Sequence, residues 1–124
     1  MEINTYFFDT YAFFEIIDGN TNYKTYTNNI SVITTRLNLM ELYYGLLLRG
    51  LKKEAEMWYT TLLEYTVEIP DSMIKAAMEF RLQNKNLNLS YVDCIGYIIS
   101  LGKNIKFLTG DRQFKNMSNV EFVK

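Results

Sequence analysis

Short apolar runs recur along the chain, separated by longer stretches of mixed composition. The first run, Tyr6-Phe7-Phe8-Asp9-Thr10, is rich in aromatic side chains and stops at a carboxylate. Such a run predicts a strand buried on both faces of a parallel sheet, with Asp9 as its last residue. Similar runs, rich in β-branched and aromatic residues, predict four more strands, at Ile30 to Thr34, Tyr65 to Ile69, Lys106 to Thr109 and Val120 to Val123.

The stretches between these strands have the apolar spacing of helices. The longest, Leu37 to Gly50, is apolar on nearly every side, which predicts a largely buried helix. Another begins at Asp71 or Ser72, either of which would cap it, and runs to about Lys85. Four further helices are predicted at Thr10 to Ile17, Asn22 to Asn29, Glu54 to Glu64 and Ser90 to Ser100.

This alternation of strands and helices predicts an α/β fold, a three-layer α/β/α sandwich on a central parallel sheet. With 124 residues and 48% hydrophobic content, residues 1–124 are expected to form a single domain with one core. In open α/β sheets, ligands bind beyond the carboxyl ends of the strands. An acid at such an end, as Asp9 is expected to be, is placed for chemistry rather than for solubility.

Composition restricts what that chemistry can be. The chain has no histidine, which excludes Ser-His and Cys-His nucleophile pairs and the usual zinc sites. Its single cysteine, Cys94, excludes an intrachain disulfide and any Cys-x-x-Cys motif, which fits a reducing cytoplasm. An enzyme of this composition has to rely on carboxylates, lysines, hydroxyls or a metal ion held by oxygen atoms.

The net charge of −1 means that a nucleic-acid partner would have to meet a local basic patch or a metal-neutralised site. No apolar stretch approaches the roughly 18 residues of a membrane span, and the amino terminus lacks the pattern of a signal peptide. We therefore expect an unsecreted, cytoplasmic protein with no membrane partner.

Two acids in the first half of the chain have both a structural and a chemical interpretation. Asp9 could simply cap the helix that follows it, which is the commonest role of aspartate at a strand-to-helix junction. Glu41 interrupts the most apolar helix, where an unpartnered buried carboxylate would cost on the order of several kcal/mol. Unless Glu41 lies on a solvated face, it needs a cation, a hydrogen-bond donor or water in a cleft.

The second half of the chain offers two more acids. Asp93 follows Ser90 at the spacing of a capping box, and Asp111 is, by itself, an ordinary turn or cap residue. Asp111 also lies just past a predicted strand, at the same edge as Asp9. Taken together, the four acids could form one cluster, in which they would repel one another unless a cation offset their charge. With oxygen ligands alone, the natural cation is Mg²⁺ or Mn²⁺.

Four segments spread over nearly the whole chain carry a family resemblance: Phe-Phe-Asp9-Thr10, Asn38-Leu-Met-Glu41-Leu-Tyr-Tyr-Gly45, Leu89-Ser90-Tyr-Val-Asp93 and Phe107-Leu-Thr109-Gly-Asp111-Arg-Gln-Phe114. In this order they resemble the PIN-domain family, and more narrowly its single-domain type, the VapC toxins of toxin-antitoxin pairs. The resemblance implies a PIN-like α/β/α fold and a metal-dependent ribonuclease. It also implies RNA as substrate, a possible antitoxin protein as partner, and a homodimer.

Carried over residue by residue, the resemblance implies that Asp9, Glu41, Asp93 and Asp111 form the acidic metal site, with Thr109 as a supporting hydroxyl. Asp9, Asp93 and Glu41 would hold the ion directly or through water, and Asp111 would orient water or hold a second ion. Divalent ions can activate water and relieve phosphate charge, so such a nuclease needs no histidine. Attack by water would leave 5'-phosphate and 3'-hydroxyl ends.

Basic and aromatic side chains near the acids are candidates for contacts with RNA. Most exposed cations are only solvated charges, and tyrosines at helical spacing commonly serve a core or an interface, although they can stack on bases. The candidates for backbone contacts are Arg112, Lys115, Arg36 and Arg81. The candidates for stacking are Tyr11, Tyr43 and Tyr44.

Three other classes compete with a nuclease. A non-catalytic PIN-like module would keep the fold and use its surface to bind protein or RNA. A phosphatase of the haloacid dehalogenase type also begins with a strand-end aspartate, but it requires a second aspartate where Tyr11 stands. Nucleotide-binding folds need a glycine-rich phosphate loop, which the sequences around Gly45 and Gly50 do not supply.

Overall fold

The strands form one parallel sheet in a computed structural model that describes residues 3–124. They are β1 (Asn4–Phe8), β2 (Ile30–Ile33), β3 (Lys106–Thr109) and β4 (Val120–Phe122). Their order across the sheet is β2-β1-β3-β4, and all three neighbouring pairs are parallel. The carboxyl ends of the strands therefore share one edge.

Helices cover both faces of the sheet. Within residues 3–124 there are five α-helices: α1 (Thr10–Ile17), α2 (Arg36–Leu48), α3 (Lys52–Leu62), α4 (Asp71–Gln83) and α5 (Tyr91–Gly102). Three short 3₁₀ helices lie at Thr21–Thr27, Leu63–Tyr65 and Arg112–Phe114. No helix among these residues is long and apolar enough to span a membrane.

The alternation of side chains along β1 and β3 divides the core in two. Phe8 and Leu108 pack against α1, α2 and α3, whereas Phe7 and Phe107 pack against α4 and α5. Neighbouring phenyl rings of Phe7 and Phe107 are stacked with centroids 5.7 Å apart. Both faces of the sheet are thus apolar, and the predicted three-layer α/β/α sandwich with a central parallel sheet is confirmed.

The predicted strand at 65–69 is wrong. Tyr65 is the last residue of the 3₁₀ helix Leu63–Tyr65, and the residues that follow touch the sheet through one parallel bridge, Thr34 to Thr66. The Thr34 N–H donates to the Tyr65 carbonyl, and the Val67 N–H donates to the Thr34 carbonyl. The chain then turns away to enter α4 through Pro70, which has no N–H to extend a ladder.

Two helices also differ from prediction. The helix predicted at 37–50 is not largely buried: Met40, Tyr44 and Leu48 are 53%, 63% and 71% exposed, because α2 lies in an outer layer and can bury only one side. Neither Asp71 nor Ser72 caps α4. Pro70 occupies the N-cap position, without a side-chain hydrogen bond.

Candidate active site

The carboxyl ends of β1 and β3 meet at one edge of the sheet. Phe8 pairs with Leu108, and the Asp9 N–H extends this ladder by donating to the Leu108 carbonyl oxygen at 3.1 Å. β3 ends at Thr109, and Asp111 follows two residues later. Asp9, Thr109 and Asp111 therefore lie together at this edge, as parallel pairing of the two strands requires.

Asp9 is buried at this edge, with only 3% of its surface exposed. Its Oδ1 accepts a hydrogen bond from the Thr10 N–H at 2.9 Å, and its Oδ2 accepts one from the Thr109 hydroxyl at 2.8 Å. β1 ends at Phe8, so Asp9 is not the last strand residue, as predicted, but the N-cap of α1. Both oxygens are fixed in direction by these bonds.

Glu41 is tied to the same edge through a chain of hydrogen bonds. Its Oε1 accepts from the Thr10 hydroxyl at 2.7 Å. The fully buried Asn38 lies one turn earlier on α2 and donates to the Thr10 hydroxyl oxygen at 3.1 Å. The Thr35 hydroxyl in turn donates to the Asn38 side-chain carbonyl at 2.7 Å. These bonds supply the donor that a half-buried carboxyl on this helix requires.

Asp93 and Asp111 each form a structural cap. Asp93 and Ser90 make a reciprocal capping box at the start of α5, with bonds of 2.9 and 3.0 Å. Asp111 caps the 3₁₀ helix by accepting from the Gln113 N–H at 3.0 Å, while its own N–H donates to the Thr109 hydroxyl at 3.1 Å. The structural interpretations of Asp9, Asp93 and Asp111 are all observed.

These hydrogen bonds leave one oxygen available on each of Glu41, Asp93 and Asp111. Of the eight carboxylate oxygens of Asp9, Glu41, Asp93 and Asp111, three accept no hydrogen bond from residues 3–124: Glu41 Oε2, Asp93 Oδ1 and Asp111 Oδ2. Each belongs to a carboxyl whose other oxygen is held by the hydrogen bonds described above. A cap and a ligand role are therefore compatible in the same side chain.

Burial and mutual repulsion favour the protonated forms of Asp9, Glu41 and Asp93. Burial, and then the charges of Asp93 and Glu41, raise the pKa of Asp9 to about 8, outweighing the hydrogen bonds that it accepts. Burial also raises the pKa of Glu41, and the charge of Asp93 adds to that effect. Burial likewise raises the pKa of Asp93, with a contribution from Asp111. The four acids are thus close enough to affect one another electrostatically.

The chemistry of this donor set fits a hard divalent cation, because every available ligand atom is a carboxylate or hydroxyl oxygen. A bound cation would also offset the repulsion that raises these pKa values. As the side chains stand, however, no three acidic or cysteine groups among residues 3–124 are arranged to hold a metal ion. Asp9, Asp93 and Asp111 are held by caps on three separate elements.

The basic candidates lie in three places. Arg112 and Lys115 line one cleft beside Asp111, whereas Arg36 lines a different cleft with residues 66–69. Arg81 donates to the Leu89 carbonyl at 3.2 Å, and its guanidinium carbon lies 4.6 Å from the centroid of the Tyr91 ring. Arg81 thereby holds the segment that leads into α5.

The tyrosine candidates are also divided. Tyr11 is half-buried beside Lys124 near the acidic edge. Tyr43 donates to Glu56 on α3 at 2.7 Å, and Tyr44 is exposed on α2. Of the three, Tyr11 is the one next to the acids. Burial and Glu15 raise its pKa most, and the charge of Asp111 raises it further.

Sequence reasoning missed the polar residues that orient the acids, namely Thr10, Thr35 and Asn38. The signal for Asn38 was present in the sequence, because a polar residue three positions before Glu41 shares its face of α2. Thr10 had no comparable signal, because its partners Glu41 and Asn38 lie on another element. Thr35, by contrast, is the N-cap of α2 and bonds Asn38 at a local spacing of three residues.

The chain belongs to the PIN domain family, whose family model matches residues 6–120. Solved structures of VapC-type proteins have the same fold. VapC20 of Mycobacterium tuberculosis, described as a sarcin-ricin loop cleaving toxin, is 17% identical with a TM-score of 0.79, and the match covers 96% of this chain and 99% of that chain. The comparison with curated proteins found no match.

Two complexes give similar results. VapBC of Salmonella typhimurium, solved bound to DNA, is 14% identical with a TM-score of 0.74, and the match covers 96% of each chain. VapBC2 of Rickettsia felis, bound to a DNA fragment from its promoter, is 18% identical with a TM-score of 0.72, covering 97% of this chain and 99% of that chain. The predicted resemblance to PIN-domain, VapC-like proteins is confirmed.

Proposed function

We propose that this PIN-domain protein is an endoribonuclease that hydrolyses RNA phosphodiester bonds with Mg²⁺ or Mn²⁺ and is the toxin of a toxin-antitoxin pair. Asp9, Glu41, Asp93 and Asp111 would be both its catalytic residues and the residues that hold the ion, with Thr109 in support. Family membership and the fold of VapC-type structures support the nuclease class.

The observation that carries this proposal is Asp9. A nearly fully buried carboxyl, surrounded by other acids and raised in pKa to about 8, is costly for a fold that uses it only as a helix cap. Serine, threonine or asparagine would cap α1 without that charge. A cation bound beside Asp9 would offset the free-energy cost of burying this carboxylate among other acids.

The roles of the protein groups follow from their hydrogen bonds. The Thr10 N–H and the Thr109 hydroxyl orient the two oxygens of Asp9, and the Thr10 hydroxyl orients Glu41. When bound, the divalent cation would supply charge relief on the phosphate and make a water more acidic. Asp111, less buried than Asp9, would accept a proton from the attacking water or orient it.

The proposal includes partners. An antitoxin is supported by the VapBC complexes among the similar structures. A homodimer is supported by the exposed apolar residues of α2, since a second copy would cover Met40, Tyr44 and Leu48.

The test is metal-dependent cleavage of defined RNAs by the purified protein, with the product ends identified. We expect cleavage with Mg²⁺ or Mn²⁺, loss of cleavage with a chelator, recovery on adding metal back, and 5'-phosphate and 3'-hydroxyl ends. Cyclic phosphate ends or cleavage that persists in chelator would contradict the mechanism. RNA or antitoxin binding without any cleavage would instead favour a non-catalytic PIN-like module.

A further inference from the structure

A basic cleft of about 300 Å³ lies immediately beside the acidic edge. It is lined by Arg112, Lys115, Phe122 and Lys124. Arg112 directly follows Asp111 and begins the 3₁₀ helix Arg112–Phe114, after which comes Lys115. Phe122 ends β4, where it pairs with Thr109 of β3. The sheet itself thus brings the second wall of the cleft next to the acids.

Lys124 is directed toward the acidic edge by specific contacts. Its ammonium donates to the Gly110 carbonyl at 3.2 Å and lies 5.5 Å from the centroid of the Tyr11 ring. The Asn22 side chain donates to the Lys124 carbonyl at 3.0 Å, and the Tyr23 hydroxyl donates to the Val123 carbonyl at 2.6 Å. The segment that carries Lys124 is therefore fixed against the body of the protein.

Gly110 allows this segment to approach so closely. A Cβ atom at Gly110 would overlap the Val123 carbonyl oxygen and the Tyr11 ring. Any larger residue there would push residues 123 and 124 away from the end of β3. The close approach holds the Lys124 ammonium against Gly110, the residue that precedes Asp111.

The three cations of the cleft have no carboxylate partner in the part of the chain that the structure describes. The single ion pair among residues 3–124 joins Arg49 to Asp18 and lies elsewhere. Two acids near the cleft are engaged by other groups: Glu121 accepts from the Tyr26 hydroxyl at 2.6 Å, and Glu15 accepts from the Asn20 side chain at 3.2 Å. Three like charges around one cleft repel one another, and a bound anion would offset that repulsion.

The geometry points to a phosphate subsite for single-stranded RNA in this cleft. Arg112, Lys115 and Lys124 would hold the phosphate next to the one at the acidic edge, and Phe122 would offer an apolar surface to the adjoining nucleoside. This assignment rests on the proposed function, because it takes the strand to run from the acids into the cleft. A protein of net charge −1 needs a local basic patch or a metal-neutralised site to hold RNA, and this cleft is a basic patch.

The test is the binding of a fluorescent oligouridine to the full chain in excess chelator, measured at several salt concentrations. The variant Lys115→Gln/Lys124→Gln removes two cations of the cleft. The matched control, Lys52→Gln/Lys53→Gln, removes the same charge from exposed positions on α3, which packs on α2. The segment after α3 bridges to Thr34, just after β2 at the other edge of the sheet. Thermal unfolding of each variant checks the fold.

For single strands, each phosphate contact contributes about 0.7 to the slope of log affinity against log salt. Each lost contact therefore weakens binding about fivefold at 0.1 M salt. We expect the cleft variant to bind about 25-fold more weakly, with a slope reduced by about 1.4, while the control is unchanged. If Lys124→Gln loosens the fold, Lys115→Gln alone carries the test, because Lys115 makes no side-chain hydrogen bond within residues 3–124, and we expect a fivefold loss.

Equal weakening in the cleft variant and the control would overturn the subsite, since general charge would then explain the binding. Displacement of oligouridine by inorganic phosphate at equal concentration would assign the cleft to a free anion instead of RNA. Because chelator prevents metal-dependent cleavage, this measurement is separate from the proposed nuclease function. Loss of binding in the cleft variant of a protein that never cleaves RNA would retain the subsite and reject the nuclease.

Discussion

At the scale of single residues, Asp9 combines a cap with a buried charge. Its oxygens accept from the Thr10 N–H and the Thr109 hydroxyl, and its pKa is raised to about 8 by burial and by Asp93 and Glu41. Between the pKa of an unfolded aspartate, near 4, and about 8, the folded protein therefore binds more protons than the unfolded chain. Stability must fall as the pH rises through this range.

The first prediction concerns Asp9→Asn. Asparagine keeps the oxygen that caps Thr10 and has no proton to lose. The free energy of unfolding of the variant should therefore depend less on pH between 4 and 8 than that of the unsubstituted protein. One group contributes at most about 1.4 kcal/mol per pH unit, and Glu41 and Asp93 leave a residual slope. Urea unfolding of the metal-free proteins should show Asp9→Asn as the more stable at pH 7.5. An unchanged slope and lower stability at every pH would contradict the raised pKa.

The second prediction concerns Thr109, whose hydroxyl bridges two acids. Thr109→Val leaves Asp9 Oδ2 without its donor and the Asp111 N–H without its acceptor, at a cost of about 1–3 kcal/mol at neutral pH. Thr109→Ser keeps the hydroxyl and is the matched control. Urea unfolding and the concentration of Mn²⁺ needed to raise the melting temperature should both separate Val from Ser. Equal behaviour of the two variants would contradict the role of the hydroxyl.

The residue scale also shows what the sequence can reveal about a site. Asp9 and Asp111 were placed at one edge correctly, because each comes just after a predicted strand. Thr35 caps α2 locally, but the roles of Asn38 and Thr35 at the site were missed because the bond from Asn38 to Thr10 depends on how α1 and α2 dock. Their contribution to orienting Glu41 appears only when α1 and α2 are seen side by side.

At the scale of elements, α5 places Asp93 by packing directly on the sheet. Gly96 makes this possible, because a Cβ atom there would lie 2.7 Å from Cε1 and 3.0 Å from Cζ of Phe7. The Phe7 ring is fully buried and cannot move aside. The distance between α5 and β1 is therefore set by the absence of a side chain at Gly96.

The third prediction tests this packing. Gly96→Ala should force α5 away from the sheet and cost about 1–3 kcal/mol of unfolding free energy, as overpacking does in other cores. Gly102→Ala is the control, since its Cβ would meet only the flexible end of Met73. Urea unfolding distinguishes them, and the displaced Asp93 should lower RNA cleavage in Gly96→Ala. A Gly96→Ala protein as stable and as active as Gly102→Ala would refute the argument.

Local signals explain which elements were predictable. The helix at Thr10–Ile17 and the strand at Lys106–Thr109 have the predicted bounds, because the turn after Ile17 and the apolar run into Thr109 are local. The segment 65–69 was wrong because β-branched composition alone does not supply a neighbouring strand. The exposure of α2 could not be predicted either, since it depends on what covers each side of the helix.

At the scale of the whole molecule, the strand order brings the site together. Alternating strands and helices predict a parallel sheet, but the order β2-β1-β3-β4 is not written in any local pattern. That order places β3 beside β1 and so brings Asp111 to the same edge as Asp9. It also places β4 beside β3, which brings Phe122 and Lys124 to the acidic edge.

The central claim is that this edge is a metal-dependent ribonuclease site, and the initial rate of RNA cleavage tests it most directly. Asp9→Asn is compared with Asp18→Asn, which changes an exposed acid in the surface pair with Arg49. With Mn²⁺ we expect the unsubstituted protein and Asp18→Asn to cleave equally. Asp9→Asn should lose more than about 100-fold, since even partners of metal ligands are worth about 10- to 100-fold. Full activity in a folded Asp9→Asn protein would contradict the claim.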